Sequence, residues 1–215
     1  MQPPEIRPMF PLGSPLLPGA VLPLHIFEPR YRALARRCTS NDDPFGVVMI
    51  ERGSEVGGGD VRADIGCLAN IAQHQELPDG RWVMLATGDR RIRIVEWLVD
   101  DPYPRALACD WPDDPAEVPA QERKATVARL RRLRARASEI GALGVTAAES
   151  AAIDDQLAKL AVAPAGASAW SFQLASLVPA GPFDRHSLLC APDPASRVDV
   201  IGEILDGVEE LLGER

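Results

Sequence analysis

The stretch VLPLHIFEPRYRALARRC, residues 21–38, predicts a strand that leads directly into a helix. Its first seven residues alternate in the manner of a strand, and Pro23 indicates an edge strand or a bulge. Glu28 stands where an acid favours a helix start, and Pro29 suits the first helical position because its missing N–H needs no partner there. The inward face of the helix is predicted to carry Tyr31, Leu34, Ala35 and Cys38, at helical spacings.

Two interpretations of this stretch remain open at this point. In the first it is only a joint between strand and helix, whose Arg residues pair with Glu28 or with a carboxylate of the sheet. In the second it is a surface that binds a ligand through Phe27, Tyr31 and the same Arg residues.

Around this joint, the N-terminal half of the chain reads as short strands separated by turns. LPDGR at 77–81 predicts a hairpin turn, since it places Pro, Asp and Gly where a tight turn favours them. TGDR at 87–90 predicts a second tight turn. Many short strands with tight turns favour a barrel-like or folded sheet over a parallel one. The predicted strands cover residues 45–50, 65–73, 81–87, 91–99 and 105–111.

The C-terminal half reads as helices that pack on one another. A linker rich in Pro and acidic residues, 111–122, separates the halves, so we expect a β-rich domain over residues 1–115 and a helical bundle over 116–215. Thr146 and Glu149 form a predicted capping box. Asp193 and Pro194 predict the start of the last helix. The predicted fold class is therefore α+β.

Composition narrows the classes of function. The chain has 215 residues and a formal net charge of −8, which disfavours nucleic acid and anionic membranes as partners. It has no apolar run long enough to span a membrane and no signal-peptide pattern at its start, so we expect a cytoplasmic location. The four Cys and three His are scattered, which favours buried cysteines and predicts neither a metal site nor a cofactor.

Five collinear segments resemble the N-terminal domain of the Lon ATP-dependent protease. They are MFPLGSPLLPGAVLPLHIFEPRYRAL (9–34), FGVV (45–48), DIGCLANI (64–71), LPDGRWVMLATGDRRIRI (77–94) and DPYPRA (101–106). The resemblance covers residues 9–111 and is to the stand-alone form without ATPase or protease domains. It implies a β-rich PUA-like fold followed by a helical bundle. The resemblance also implies a role, because in the full protease this region recognises unfolded or damaged polypeptides and helps the hexamer to assemble.

We therefore predict a non-catalytic module that binds unfolded polypeptides or a protein partner, as a monomer or weak homodimer. The sequence contains no P-loop motif, and no residues correspond to the Ser–Lys dyad of the Lon proteolytic domain. We therefore expect that the chain is not an enzyme. The candidate peptide-binding residues are Phe10, Leu12, Phe27, Glu28, Arg30, Tyr31, Arg32, Met84 and Trp97.

Two alternatives stay open. An RNA-binding PUA-like module has one local argument, the seven cations and no acid between residues 123 and 136. A helix whose Arg residues pair with the acids of the last helix explains the same segment without RNA. The other alternative is a protein-interaction adaptor that docks a partner through its helical half.

Overall fold

The structure is a computed structural model that describes residues 3–53, 59–140, 146–162 and 166–213. The chain folds as two compact units, Met1–Pro112 and Asp113–Arg215. Counting only the described residues, the first contains a mixed sheet of six strands and one helix, and the second contains five helices, so the predicted α+β class is confirmed. The strands are β1 (Glu5–Leu12), β2 (Val21–Ile26), β3 (Phe45–Arg52), β4 (Val61–Glu76), β5 (Trp82–Leu98) and β6 (Arg105–Asp110), with helix α1 (Pro29–Asn41) between β2 and β3.

The strand order in the sheet is β2-β5-β4-β3-β1-β6, and β5 also pairs with β6. β2 therefore lies at an edge of the sheet, as Pro23 predicts. The sheet is mainly antiparallel, as expected from the short strands and tight turns, and among the described strands β1 and β3 form the one parallel pair. The connection between them contains β2 and α1 and is long enough for the crossover that a parallel pair needs.

Strands β4 and β5 form a long hairpin with the predicted LPDGR turn. Leu77 N–H donates to the carbonyl of Arg81 at 2.7 Å. Gly80 has a φ of 79°, a left-handed conformation that is unfavourable for residues with a side chain. The second predicted turn, at 87–90, is wrong because β5 runs unbroken through it. The register shifts there by one residue, so Gly88 belongs to a bulge and not to a turn.

Gly88 is needed at this bulge because another part of the backbone passes very close to it. A Cβ atom added to Gly88 would lie 2.4 Å from the carbonyl oxygen of Leu17. The same glycine exchanges hydrogen bonds with the segment before β2: Gly19 N–H donates to its carbonyl at 2.8 Å, and its own N–H donates to the carbonyl of Ala20 at 2.9 Å. These bonds fix the register in which β2 joins the sheet.

One hydrophobic cluster of the first unit lies between the sheet and α1, and another, which includes Met9, Val48 and Leu68, is formed by strand residues alone. The helix buries Tyr31, Leu34, Ala35 and Cys38, the four residues predicted for its inward face. Two of the four cysteines, Cys109 and Cys190, are only partly buried, which corrects the expectation of four buried thiols.

The helices of the second unit are α2 (Ala120–Glu139), α3 (Ala147–Val162), α4 (Ala167–Leu177), α5 (Pro182–Cys190) and α6 (Pro194–Gly213). The predicted capping box is present, since Thr146 N–H donates to the Glu149 carboxylate at 2.8 Å and Glu149 N–H donates to the Thr146 hydroxyl at 3.3 Å. Asp193 caps α6 as predicted, because it accepts a hydrogen bond of 2.9 Å from Ser196 N–H.

Candidate functional site

Strand β2 pairs with β5 along one edge, and within the described residues no strand pairs with its other edge. Gly19, with a φ of 82°, and Ala20 form a β-bulge opposite Gly88 of β5. The Gly19 N–H donates to the Gly88 carbonyl, and the Ala20 carbonyl accepts from the Gly88 N–H. Because hydrogen-bonding direction alternates along an antiparallel strand, Leu22, Leu24 and Ile26 direct their backbone groups toward β5. The alternate residues are Val21, Pro23 and His25, whose backbone groups point to the free edge.

The side chains of β2 alternate with the same period. Leu24 and Ile26 are buried and Leu22 is partly buried, whereas Val21, Pro23 and His25 are exposed. One face of β2 is therefore exposed to solvent, and the other faces the core. Pro23 fits this arrangement because the N–H that it lacks would have pointed away from the ladder with β5.

A cavity of about 270 Å³ lies beside β2, and we call it the edge cleft. It is bounded by the end of β1, by β2 and by the start of α1. The end of β1 pairs with β3 on one side, and within the described residues no strand pairs with Phe10–Leu12 on the other side, because the contact with the β6 side ends at the bond from Met9 N–H to the Pro104 carbonyl. The lining residues are Phe10, Pro11, Leu12, Leu22, Pro23, Leu24, His25, Ile26, Phe27, Glu28 and Tyr31.

One wall of the edge cleft is a stack of aromatic and charged side chains. The rings of Phe10 and Tyr31 are stacked with centroids 4.2 Å apart. The Arg30 guanidinium lies 4.5 Å from the centroid of the Tyr31 ring and donates to the Glu28 carboxylate at 3.1 Å. Burial raises the pKa of the Tyr31 phenol to about 12. At neutral pH the wall therefore presents uncharged rings beside a compensated ion pair.

The mouth of the edge cleft is apolar and exposed. Phe27 lines the cleft and is 58% exposed, although it is a large hydrophobic residue. Val21, at the start of β2 and outside the lining of the cleft, is 60% exposed. Exposed apolar groups around a concave surface are typical of an interaction site. The arrangement can accommodate apolar side chains and offers backbone hydrogen-bonding groups beside them.

Five of the nine candidate binding residues line this cleft: Phe10, Leu12, Phe27, Glu28 and Tyr31. A sixth, Arg30, contacts two of them.

The other three candidates lie elsewhere in the first unit. Met84 is opposite Leu24 in the β2–β5 register and is buried in the core. Trp97 stacks against the Arg62 guanidinium at 4.8 Å, and Arg32 packs over the turn at Gly80.

Sequence reasoning missed the lining residues on β2, among them Leu22, Leu24 and His25. Their signal was present, since Pro23 had already indicated an edge strand. Edge position was interpreted as a fold feature and not as a possible binding surface.

The Arg-rich segment 123–136 lies on α2, and several of its cations have partners within the second unit. Arg129 donates to Glu209 at 2.9 Å, and it also pairs with Asp206. This is the pairing with the last helix that explains the segment without RNA. Arg136 donates to the carbonyl of Leu212 at 3.2 Å.

Within the described ranges, no group of three or more His, Cys, Asp or Glu side chains could hold a metal ion. None of the helices described there is long and apolar enough to cross a membrane.

A family model described as the ATP-dependent protease La (LON) substrate-binding domain matches residues 6–207. The chain belongs to this family. Among curated proteins, it is 30% identical over 106 residues to the Lon protease of Cytophaga hutchinsonii and 31% identical over 107 residues to Lon protease 2 of Myxococcus xanthus. Each match covers 48% of this chain and 13% of the relative, so the chain matches only a small part of those proteases.

Solved structures of the Lon substrate-binding domain family resemble the whole chain. The crystal structure of a Lon N-terminal domain protein from Xanthomonas campestris superposes with a TM-score of 0.65 at 28% identity, covering 91% of this chain and 95% of that one. The N-terminal domain of a Lon protease from the Mycobacterium avium complex superposes with a TM-score of 0.61 at 19% identity, which shows a shared fold. It covers 94% of this chain and 98% of that domain.

Proposed function

We propose that this chain binds unfolded or damaged polypeptides, without catalysing a reaction, through the edge cleft. The observation that carries the proposal is the exposed ring of Phe27, which lines the cleft and is 58% exposed. Membership of a substrate-binding domain family supports it. We further propose that the chain acts in the cytoplasm, as the family resemblance suggests.

Unfolded polypeptides offer two things that folded proteins hide, namely apolar side chains and free backbone groups. The edge cleft has a complement for each of them. Its wall of Phe10 and Tyr31 is apolar at neutral pH, and the nearby charges of Glu28 and Arg30 compensate one another. A cavity of about 270 Å³ is small beside typical ligand pockets of about 300–1,000 Å³, so it suits side chains of a peptide more than a large ligand.

The proposal concerns binding alone. The family model that matches the chain is that of a substrate-binding domain, which supports a role in recognition and not in chemistry. RNA binding has weaker support, because Arg129 and Arg136 already bond other groups of the helical unit.

The test is binding of fluorescently labelled, unfolded casein, followed by anisotropy, to the wild-type chain and two variants. Phe27→Ser removes the exposed ring at the cleft mouth, and we expect it to weaken binding about tenfold or more, as for a central interface aromatic. Phe183→Ser is the matched control, since Phe183 is 68% exposed on α5 in the other unit. We expect the control to bind casein as the wild type does.

Two results would contradict the proposal. One is a wild-type chain that fails to bind casein at tens of micromolar. The other is equal loss of binding in both variants, which would mean that exposed rings attract casein wherever they lie. Competition with excess RNA serves as a further check, and we expect no displacement.

A further inference from the structure

Resting on the proposed function, we propose that a bound polypeptide adds as an extended strand to the free edge of β2, and that this edge selects short segments in which apolar and polar residues alternate. The partner is thus recognised by its main chain first and by its alternate side chains second.

The free edge presents a defined set of backbone groups. Val21 and His25 each offer an N–H and a carbonyl, and Pro23 offers a carbonyl alone, because of the alternation described above. An added strand can therefore form at most five main-chain hydrogen bonds across Val21–His25. Exposed strand edges are templates for pairing with another chain, and main-chain bonds provide affinity that does not depend on sequence.

Pro23 has a second consequence for this edge. Pro23 has no N–H, so the middle of the free edge lacks a hydrogen-bond donor. An added strand therefore binds this edge less strongly than it would bind an edge with a donor at every alternate residue. Proline on an edge strand is a recognised means of preventing edge-to-edge aggregation. The edge thus remains available to a flexible segment, while extended pairing between copies of the chain is opposed.

The cleft then sets the side-chain preference. Residues that lie opposite each other in an antiparallel pair direct their side chains to the same face of the sheet. Partner residues opposite Leu22 and Leu24 would share their face, on which Leu24 is buried. Partner residues opposite Val21, Pro23 and His25 would face solvent with them. The preferred segment therefore alternates apolar and polar residues over about five positions.

The experiment compares proline and alanine at the two donor positions. His25→Pro and Val21→Pro remove edge N–H groups that the β2–β5 ladder does not use, whereas His25→Ala and Val21→Ala remove the side chains and keep the N–H. The ligand is a labelled five-residue segment of alternating apolar and polar residues. We expect each proline variant to bind roughly threefold to tenfold more weakly than its alanine counterpart, which corresponds to about one hydrogen bond.

A second measurement keeps the inference testable if a proline variant fails to fold. Peptides are methylated on one backbone nitrogen at a time and offered to the wild-type chain. We expect weakened binding at every second position, because only alternate N–H groups of an added strand meet the edge. Uniform weakening, or none, would overturn strand addition, as would equal binding by the proline and alanine variants.

The two proposals fail in different ways. If the wild-type chain binds casein and the Phe27→Ser variant does not, while N-methylation has no periodic effect, polypeptide binding stands and strand addition is wrong. If the wild type binds neither casein nor the peptide, the proposed function itself is wrong.

Discussion

Replacing Arg197 with Met should destabilise the helical unit more than any other single change at an ion pair. Arg197 lies on α6 and is fully buried. Its guanidinium donates two hydrogen bonds to the Asp113 carboxylate, at 2.6 and 3.0 Å, and one to the Ser171 hydroxyl at 2.7 Å. It also donates to the carbonyl of Leu188 at 3.0 Å and lies 3.5 Å from the ring centroid of Phe172.

The expected loss in the free energy of unfolding follows from the environment of Asp113, the partner of Arg197. Asp113 is also buried, with 7% of its side chain exposed, so Arg197→Met removes from a buried carboxylate the opposite charge and the two hydrogen bonds that Arg197 provides. Breaking a buried pair in this way costs about 3–5 kcal/mol. With a urea m-value of about 2 kcal/mol/M for a unit of this size, the unfolding midpoint should fall by about 2 M.

Urea unfolding is followed by the fluorescence of Trp170, which is fully buried in the same unit. The other three tryptophans are replaced by Phe in every protein compared. Arg129→Met is the matched control, because Arg129 also forms ion pairs on the helical unit, with Asp206 and Glu209, but these partners are exposed. We expect the control to lower the midpoint by only a small fraction of the Arg197 effect.

The double variant Arg197→Met, Asp113→Leu decides whether the reasoning holds. Removing both charges leaves no buried ion, so most of the lost stability should return. A midpoint for Arg197→Met within about 0.5 M of the wild type would refute the estimate. A double variant less stable than the single one would show that lost packing, and not the loss of the Arg197 charge beside Asp113, lowered the stability.

Three further predictions concern single residues. Burial raises the pKa of the Tyr31 phenol to about 12. The stability that depends on this neutral phenol should therefore be complete below about pH 10 and be lost as the pH rises toward 12. Ultraviolet titration of the wild type, compared with Tyr31→Phe, checks this. Gly88→Ala should destabilise the sheet unit by about 1–3 kcal/mol in urea unfolding, because the new Cβ meets the Leu17 carbonyl. Gly202→Ala should instead stabilise the helical unit by about 0.5–1 kcal/mol, because nothing lies within 4 Å of that Cβ; a loss in thermal unfolding would contradict this.

Local patterns predicted the joint at residues 21–38 well because each feature has a local cause. Pro23 removes a donor wherever it stands, and Pro29 suits a helix start through its own ring geometry. The inward face of α1 follows from helical spacing alone, and the capping box at Thr146 depends on residues only three apart. These predictions needed no knowledge of the rest of the chain.

The errors arose where distant parts of the chain decide the outcome. Gly88 resembles a turn residue locally, but its role is to let the backbone at Leu17, seventy-one residues earlier, approach β5. The parallel pairing of β1 with β3 depends in the same way on a crossover that no local pattern specifies. Pro8 and Pro11 also obscured β1, which the sequence analysis did not predict.

The candidate site shows both situations together. Phe27, Glu28 and Tyr31 were chosen because they stand in one short segment, and they do line one cavity. Met84 was chosen for its residue type alone, and it is part of the core. Closeness in the sequence therefore predicted closeness in the structure, whereas the type of a residue alone did not predict that it lies in the cleft.

The pairing of the first strand with the last has a consequence for synthesis on the ribosome. Glu5 lies opposite Ala108 in the β1–β6 ladder, so the beginning of β1 has no partner until about one hundred further residues have been made. At about 5–20 residues per second, that interval lasts on the order of 5–20 s. Throughout it, the N-terminal strand of a nascent chain has an unsatisfied edge, and only the emergence of β6 completes the sheet. Chains arrested before residue 105 should therefore be the ones that proteases and chaperones capture.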